Sequence, residues 1–101
     1  MLRYKGTEGD EPERSVFRIL EGDERASEES LSRVARIANL LLRENKLAGR
    51  FRAAGPGMLA LELAAGERTF FHNGIVFAAL DAFNDPVKNP TLTLQAGKED
   101  P

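Results

Sequence analysis

Residues 69–83, T-F-F-H-N-G-I-V-F-A-A-L-D-A-F, limit most strongly what this chain can fold into. The stretch is the most apolar in the chain. It holds the only His, four of the six Phe and one isolated acid, Asp81. Two local structures compete for it. Asn73-Gly74, set between F-F-H and I-V-F, is a strong hairpin signal, because both residues tolerate positive φ. Against this, Val76, Ala79, Leu80 and Phe83 fall at i, i+3, i+4 and i+7. Ala78, Ala79 and Ala82 also suit a helix and make poor strand residues. The balance favours a helix over residues 74–83 with Asn73 as its N-cap, and the hairpin is the alternative. Such a helix is apolar almost all round and has to be buried on most sides. Asp81 is then its only charged side chain.

The rest of the chain supplies what could bury it. Residues 15–21, S-V-F-R-I-L-E, read as a strand with Phe17 and Ile19 on one face and Val16 and Leu20 on the other. Gly22-Asp23 ends it. Ser27 is placed to cap a helix whose first turn carries Glu28 and Glu29, suited to the positive end of its dipole. Leu31, Val34, Ala35, Ala38, Leu41 and Leu42 then form one apolar stripe. Arg43 and Lys46 suit the C-terminal end, and Gly49 is the expected stop. Residues 49–55 form a strand with Phe51 inward and Arg50 and Arg52 outward. Gly55-Pro56-Gly57 turns into a second strand over 58–65, where Leu59, Leu61 and Leu63 alternate with Met58, Ala60 and Glu62. Residues 68–71 make a short third strand. The alternating P-T-L-T-L-Q of residues 90–95 predicts a last one.

The expected fold class is therefore α+β, an antiparallel sheet of four to five strands with two helices packed on it, in the order β-α-β-β-β-α-β. Without a strand at 68–71 the order reduces to the ferredoxin-like β-α-β-β-α-β. At 101 residues there is room for one domain, placed at 15–95. Residues 1–14, rich in Gly and acids, are expected to be a mobile arm, with Leu2-Arg3-Tyr4 able to add a short edge strand. Residues 96–101 are a polar tail. So small a core favours self-association.

Composition removes several functions. With no Cys there is no disulfide scaffold, no thiolate nucleophile and no Cys-ligated metal, and one His leaves no His-rich metal site. Gly55-Pro56-Gly57 lacks the Lys-Ser/Thr of a phosphate loop, and no cofactor motif is expected. No window reaches the roughly 20 apolar residues of a membrane span, and M-L-R-Y-K-G has no apolar signal core, so the chain reads as cytoplasmic. Net charge is −2, but residues 31–52 set Arg33, Arg36, Arg43, Lys46, Arg50 and Arg52 against Glu44 alone. An overall pI of 5.4 lacks the basic excess of a nucleic-acid domain. On the first helix Leu40 projects among Arg33, Arg36 and Arg43, with Ile37 at the edge of the core stripe. These five residues form a candidate docking patch for a protein partner or a second copy of the chain. The corresponding function is a small protein-interaction or regulatory module without catalytic activity.

A different function follows from a resemblance. His72-Asn73-Gly74-Ile75-Val76-Phe77-Ala78-Ala79-Leu80-Asp81 resembles the H-G-G-x-x-x-A-L-x-D segment of hot-dog-fold acyl-CoA thioesterases, with Asn73 in place of the first Gly. The preceding G-P-G-M-L-A-L-E-L and the following P-T-L-T-L-Q are similar to the flanking strands, so the likeness covers residues 49–95. It implies a central helix wrapped by the sheet. It also implies that Gly74 lies near the thioester oxygen with His72 beside it, and that Asp81 is the catalytic acid, often supplied across a subunit boundary.

Overall fold

The computed structural model describes residues 1–8, 14–64, 66–67 and 72–98. Strand β2 (Arg14–Glu21) is the axis of the sheet. Phe17 and Ile19 point to one side and are fully buried, which is the parity their spacing dictates. On one flank β2 pairs with β1 (Leu2–Glu8). On the other it pairs with β5 (Met58–Glu62), beyond which lies β4 (Arg50–Ala53). The two-residue β3 (Glu24–Arg25) folds back on the end of β2. All pairings are antiparallel. The registers Tyr4↔Ile19, Phe17↔Leu59 and Phe51↔Leu61 bring the aromatic and leucine side chains onto one inner face. Along it run ring contacts at 6.0 Å for Tyr4–Phe17 and 5.7 Å for Phe17–Phe51. Offset and edge contacts of this kind add to the burial itself.

All three helices lie against that inner face or against one another. Helix α1 (Glu28–Glu44) packs on β4 and β5, and α2 (His72–Asn84) packs on α1 and β1. Helix α3 (Pro90–Lys98) packs on α1 and α2. The molecule is α+β, an antiparallel five-stranded sheet with two long helices and a shorter third. Ser27 caps α1 by accepting from the Ser30 amide at 3.2 Å. The α1 stripe is buried at Leu31, Val34, Ala35, Ala38 and Leu42 and half-buried at Leu41.

The far end of α1 departs from expectation. The residue that ends the helix in the left-handed region is Lys46, with φ 55°, and Gly49, at φ 103°, lies three residues farther on. The Lys46 amide donates to the Arg43 carbonyl at 3.2 Å and the Leu47 amide to the Leu42 carbonyl at 2.9 Å, a Schellman closure. A side chain with a Cβ is strained there. Lys46→Gly is therefore expected to raise the unfolding free energy by about 0.5–1 kcal/mol, read from urea denaturation.

Three expectations about the chain's ends are corrected. Residues 1–14 are not an arm throughout: Leu2–Glu8 is a seven-residue strand paired along β2, with Leu2 in the core. Leu2–Glu8 is therefore part of the sheet. Residues 90–95 are not a strand but the first turns of α3. Pro90 opens that helix, where its missing N–H costs nothing. The Thr93 hydroxyl donates back to the Asn89 carbonyl at 3.0 Å. Leu94 is 63% exposed, so the apolar alternation has no sheet face to serve. Residues 96–98 continue α3 and are not part of a tail. The strand expected at 68–71 lies outside the described residues.

The position that α3 did not take is explained by the two edges of the sheet, each held by an asparagine. At β4 the Asn39 amide donates to the Phe51 carbonyl at 3.0 Å and its Oδ1 accepts from the Phe51 amide at 2.7 Å. At β1 the Asn84 amide donates to the Leu2 carbonyl at 2.7 Å and its Oδ1 accepts from the Leu2 amide at 2.8 Å. Each side-chain amide imitates one residue of a missing neighbour strand, which blunts an edge otherwise open to pairing.

Tyr4 packs edge-on against Phe77, ring centres 5.1 Å apart, and burial pushes its phenol above the ordinary value near 10. The folded state then keeps the proton that the unfolded chain gives up first. The stability associated with it is full below about pH 10 and is lost as pH rises through the folded value. Tyr4→Phe is expected to flatten the alkaline limb of a stability–pH curve and to leave the neutral region unchanged in shape.

Candidate functional site

Helix α2 carries all three residues that the resemblance singles out, but it does not bring them together. His72 opens the helix and is 3% exposed. Its Nε2 lies 2.8 Å from the Ala48 carbonyl and donates to it, and its ring centre is 6.3 Å from that of Phe51. Nδ1 is buried without a hydrogen-bond partner. His72 thus pins the start of α2 to the loop before β4. Gly74 is exposed, and a Cβ added there would meet nothing within 4 Å. Because the helix begins at His72, Asn73 is in its first turn and is not the cap. Asp81 stands nine residues beyond His72, which is two and a half turns at about 100° each, and so on the opposite side, about 13 Å along the axis. Its side chain is 56% exposed. It sits 4.0 Å from the Lys88 ammonium and accepts from the Asn89 amide at 3.5 Å.

The docking patch expected on α1 also comes apart. Arg33 and Arg43 are exposed and Arg36 half-buried, with Arg33 4.0 Å from Glu29 one turn earlier. Ile37, however, is 2% exposed and belongs to the core, and Leu40 is half-buried against it. Both α2 and α3 pack along α1, and Ile37, Leu40 and Leu92 of α3 join one apolar cluster, so the buried stripe is wider than α1 alone implies. Of the five residues, Ile37 is thus withdrawn into the core, and Leu40 is left half-buried beside the arginines.

The open surface is elsewhere, on the outer face of the sheet. The helices all pack on the inner side, and the strand parity that sends Phe and Leu inward sends the basic residues out. Arg18 pairs with Met58, Arg52 with Ala60, Arg50 with Glu62, and Arg3 and Arg25 both with Leu20. Lys5 joins them beside the bulge between Tyr4 and Gly6. The acids at outward register positions of the described strands are Glu8, opposite Val16, and Glu62, which is tied to Arg52 at 2.8 Å. Arg3 is drawn to the edge by the Gly22 carbonyl at 3.2 Å and Asp23 at 3.6 Å. The floor is apolar: Leu20, Met58 and Ala60.

At one end this face deepens into a pocket of about 290 Å³, lined by Lys5, Arg18, Leu20, Arg25, Pro56, Gly57 and Met58 and the strand at Ile19. Gly57 builds its wall. Its amide donates to the Ala26 carbonyl at 2.8 Å and its carbonyl accepts from the Ile19 amide at 2.9 Å, so it bridges β2 and the start of α1. Its φ is +74°, and a Cβ there would lie 2.9 Å from the Arg25 Cβ. The bare glycine lets the Arg25 stem lie flat across it.

The sequence held the signal for this surface, in the alternation of Arg50 and Arg52 with Phe51 and of Arg18 with Phe17 and Ile19. It was masked because Arg50 and Arg52 follow the α1 cations directly in the chain. Only the strand registers separate the two groups and gather Arg18, Arg25, Arg50 and Arg52 onto one plane. Among the described residues no group of three or more acids or His is placed to hold a metal ion, and no helix is long and apolar enough to cross a membrane. Comparison of the chain with protein-family models, with curated proteins and with solved structures gives no match, and the site is read from its own geometry.

Proposed function

We propose that this protein is a small interaction module without catalytic activity, whose contact surface is the outer face of the sheet and whose partner is an acidic protein surface. One observation carries the reading: among the described residues no helix packs on the outer sheet face, where Lys5, Arg18, Arg25 and Arg50 are set around apolar Leu20 and Met58. Cations around an apolar centre favour acidic partners by steering and by burial of the centre. A second copy docked by the same face would set like charges against each other, because a two-fold interface meets itself. A nucleic-acid platform needs outward aromatic rings for stacking, whereas Tyr4, Phe17 and Phe51 face inward. Nothing in the arrangement of Asp81, His72 and Gly74 favours the thioesterase alternative.

Titration of isotope-labelled protein with a Glu- and Leu-rich decapeptide is the test. Amide shifts are expected in β2, β4 and β5, with affinity falling as salt rises. The double variant Arg25→Glu with Arg50→Glu is expected to weaken binding at least tenfold, and Asp81→Asn to leave it unchanged. Shifts confined to α1 around Arg33 and Arg43 would sink the reading. Hydrolysis of acyl-CoA that disappears in Asp81→Asn would replace it with the thioesterase.

A further inference from the structure

We infer that the pocket beside Arg25 binds a phosphomonoester group carried on an apolar stem. The inference rests on the outer face being the anion-seeking surface of the molecule, and it adds the chemical class of what enters the pocket. Lys5, Arg18 and Arg25 line the cavity, and among the described residues no acid does. Lys5 and Arg25 make no ion pair among the described residues. Lys5 and Arg25 alone leave two cations at one cavity, which a single carboxylate balances poorly. A phosphomonoester brings a charge of about −1.5 to −2 near pH 7 and three strong acceptor oxygens. The planar guanidinium of Arg25 matches that geometry with two parallel donors, and Lys5 adds a mobile point charge.

Size and lining argue for the stem. A volume of about 290 Å³ holds roughly ten waters at about 30 Å³ each, far more than one oxyanion fills. Leu20, Pro56 and Met58 give the remaining wall an apolar character suited to a ring or short aliphatic chain. Met58 is an adaptable partner for an aromatic ring. The pocket is also preformed. Gly57 is held by backbone hydrogen bonds on both sides, and the Arg25 stem rests on it. Little ordering is then needed on binding.

The phosphomonoester can arrive on a phosphorylated side chain of a partner protein or on a free small molecule. The probes are phenyl phosphate, inorganic phosphate, benzoate and a tripeptide centred on phosphotyrosine, followed through the amides of Arg25, Gly57 and Met58. Phenyl phosphate is expected to shift these amides saturably. It should bind at least tenfold more tightly than inorganic phosphate or benzoate. Arg25→Gln should weaken it at least tenfold, and Lys5→Gln several-fold, with the remaining spectrum unchanged. A tripeptide that binds as well as phenyl phosphate assigns the source to a partner protein. One that binds more weakly assigns it to a small molecule.

Benzoate matching phenyl phosphate would overturn the phosphate assignment, and inorganic phosphate matching it would overturn the stem. Silence of these amides toward all the probes would overturn the site. If the acidic decapeptide still binds in that case, the pocket assignment fails alone. If neither binds, the reading of the face fails with it.

Discussion

Asn39→Ala is expected to lower the unfolding free energy by about 2–3 kcal/mol, a fall in Tm of about 10–20 °C for a domain of this size. Asn39 lies in the middle of α1, where an Asn is a mediocre helix former and an Ala the best one. Helix propensity alone therefore predicts a gain. The loss arises because Asn39 holds both backbone groups of Phe51, whose side chain is fully buried. Without the amide, a donor and an acceptor at the edge of β4 lose their partners in a half-buried site. The freed edge is also a template for another strand, so the variant is expected to form higher oligomers at high concentration by size-exclusion chromatography. Asn84→Ala removes the equivalent pair at Leu2 and is expected to cost less, about 1–2 kcal/mol, because Leu2 is the first residue of β1, where strand pairing frays most easily. Urea denaturation of both variants checks the order. An Asn39→Ala variant as stable as the parent would show that the clamp contributes nothing beyond geometry.

The second large effect is expected at Gly49. Its φ is +103°, outside the region that residues with a Cβ adopt without strain. A Cβ there would lie 2.7 Å from Leu63 Cδ2 and 2.9 Å from Leu61 Cδ1. Leu61 is fully buried in the inner face of β5 and has nowhere to yield. Backbone strain of about 1–3 kcal/mol and overpacking of similar size act together at this residue. Gly49→Ala is expected to destabilise by about 3–5 kcal/mol and to speed amide exchange at Phe51 first. A change under about 1 kcal/mol would mean that the loop entering β4 moves aside freely. The pairing with Lys46→Gly is informative. One glycine added to this loop stabilises and the other removed from it destabilises, because positive φ is required at both and only one has the residue for it.

Much of the inner architecture is legible residue by residue. Phe17 and Ile19, Phe51, and Leu59 and Leu61 face the core because side chains alternate along a strand, and this holds whatever the strand's neighbours. Ser27, Glu28 and Glu29 mark the start of α1 by local hydrogen bonding and dipole alone. The competition at Asn73-Gly74 is also resolved locally. Both residues lie exposed in the first turn of α2, and Ile75, Val76, Ala79, Leu80 and Ala82 bury the rest. That many small and apolar residues cover a helix on several sides, while a hairpin buries only alternate ones.

What the sequence could not decide are the features that depend on two distant segments meeting. Leu92 and Leu94 alternate like a strand, but Asn39 and Asn84 already occupy one residue of each sheet edge and the segment packs as a helix. With α2 and α3 both packed on α1, Ile37 is core and Leu40 half-buried beside it, which the period of α1 alone did not show. The cations of the outer face come from four separate strands, β1, β2, β3 and β4, and their shared plane exists only through the registers that join these strands with β5. Sequence by itself determined which side each strand turns inward and where the two long helices run, since those follow from periods of two and 3.6 residues within one segment. Tertiary structure alone decided which surfaces remain open, since exposure of any one face depends on what every other segment covers.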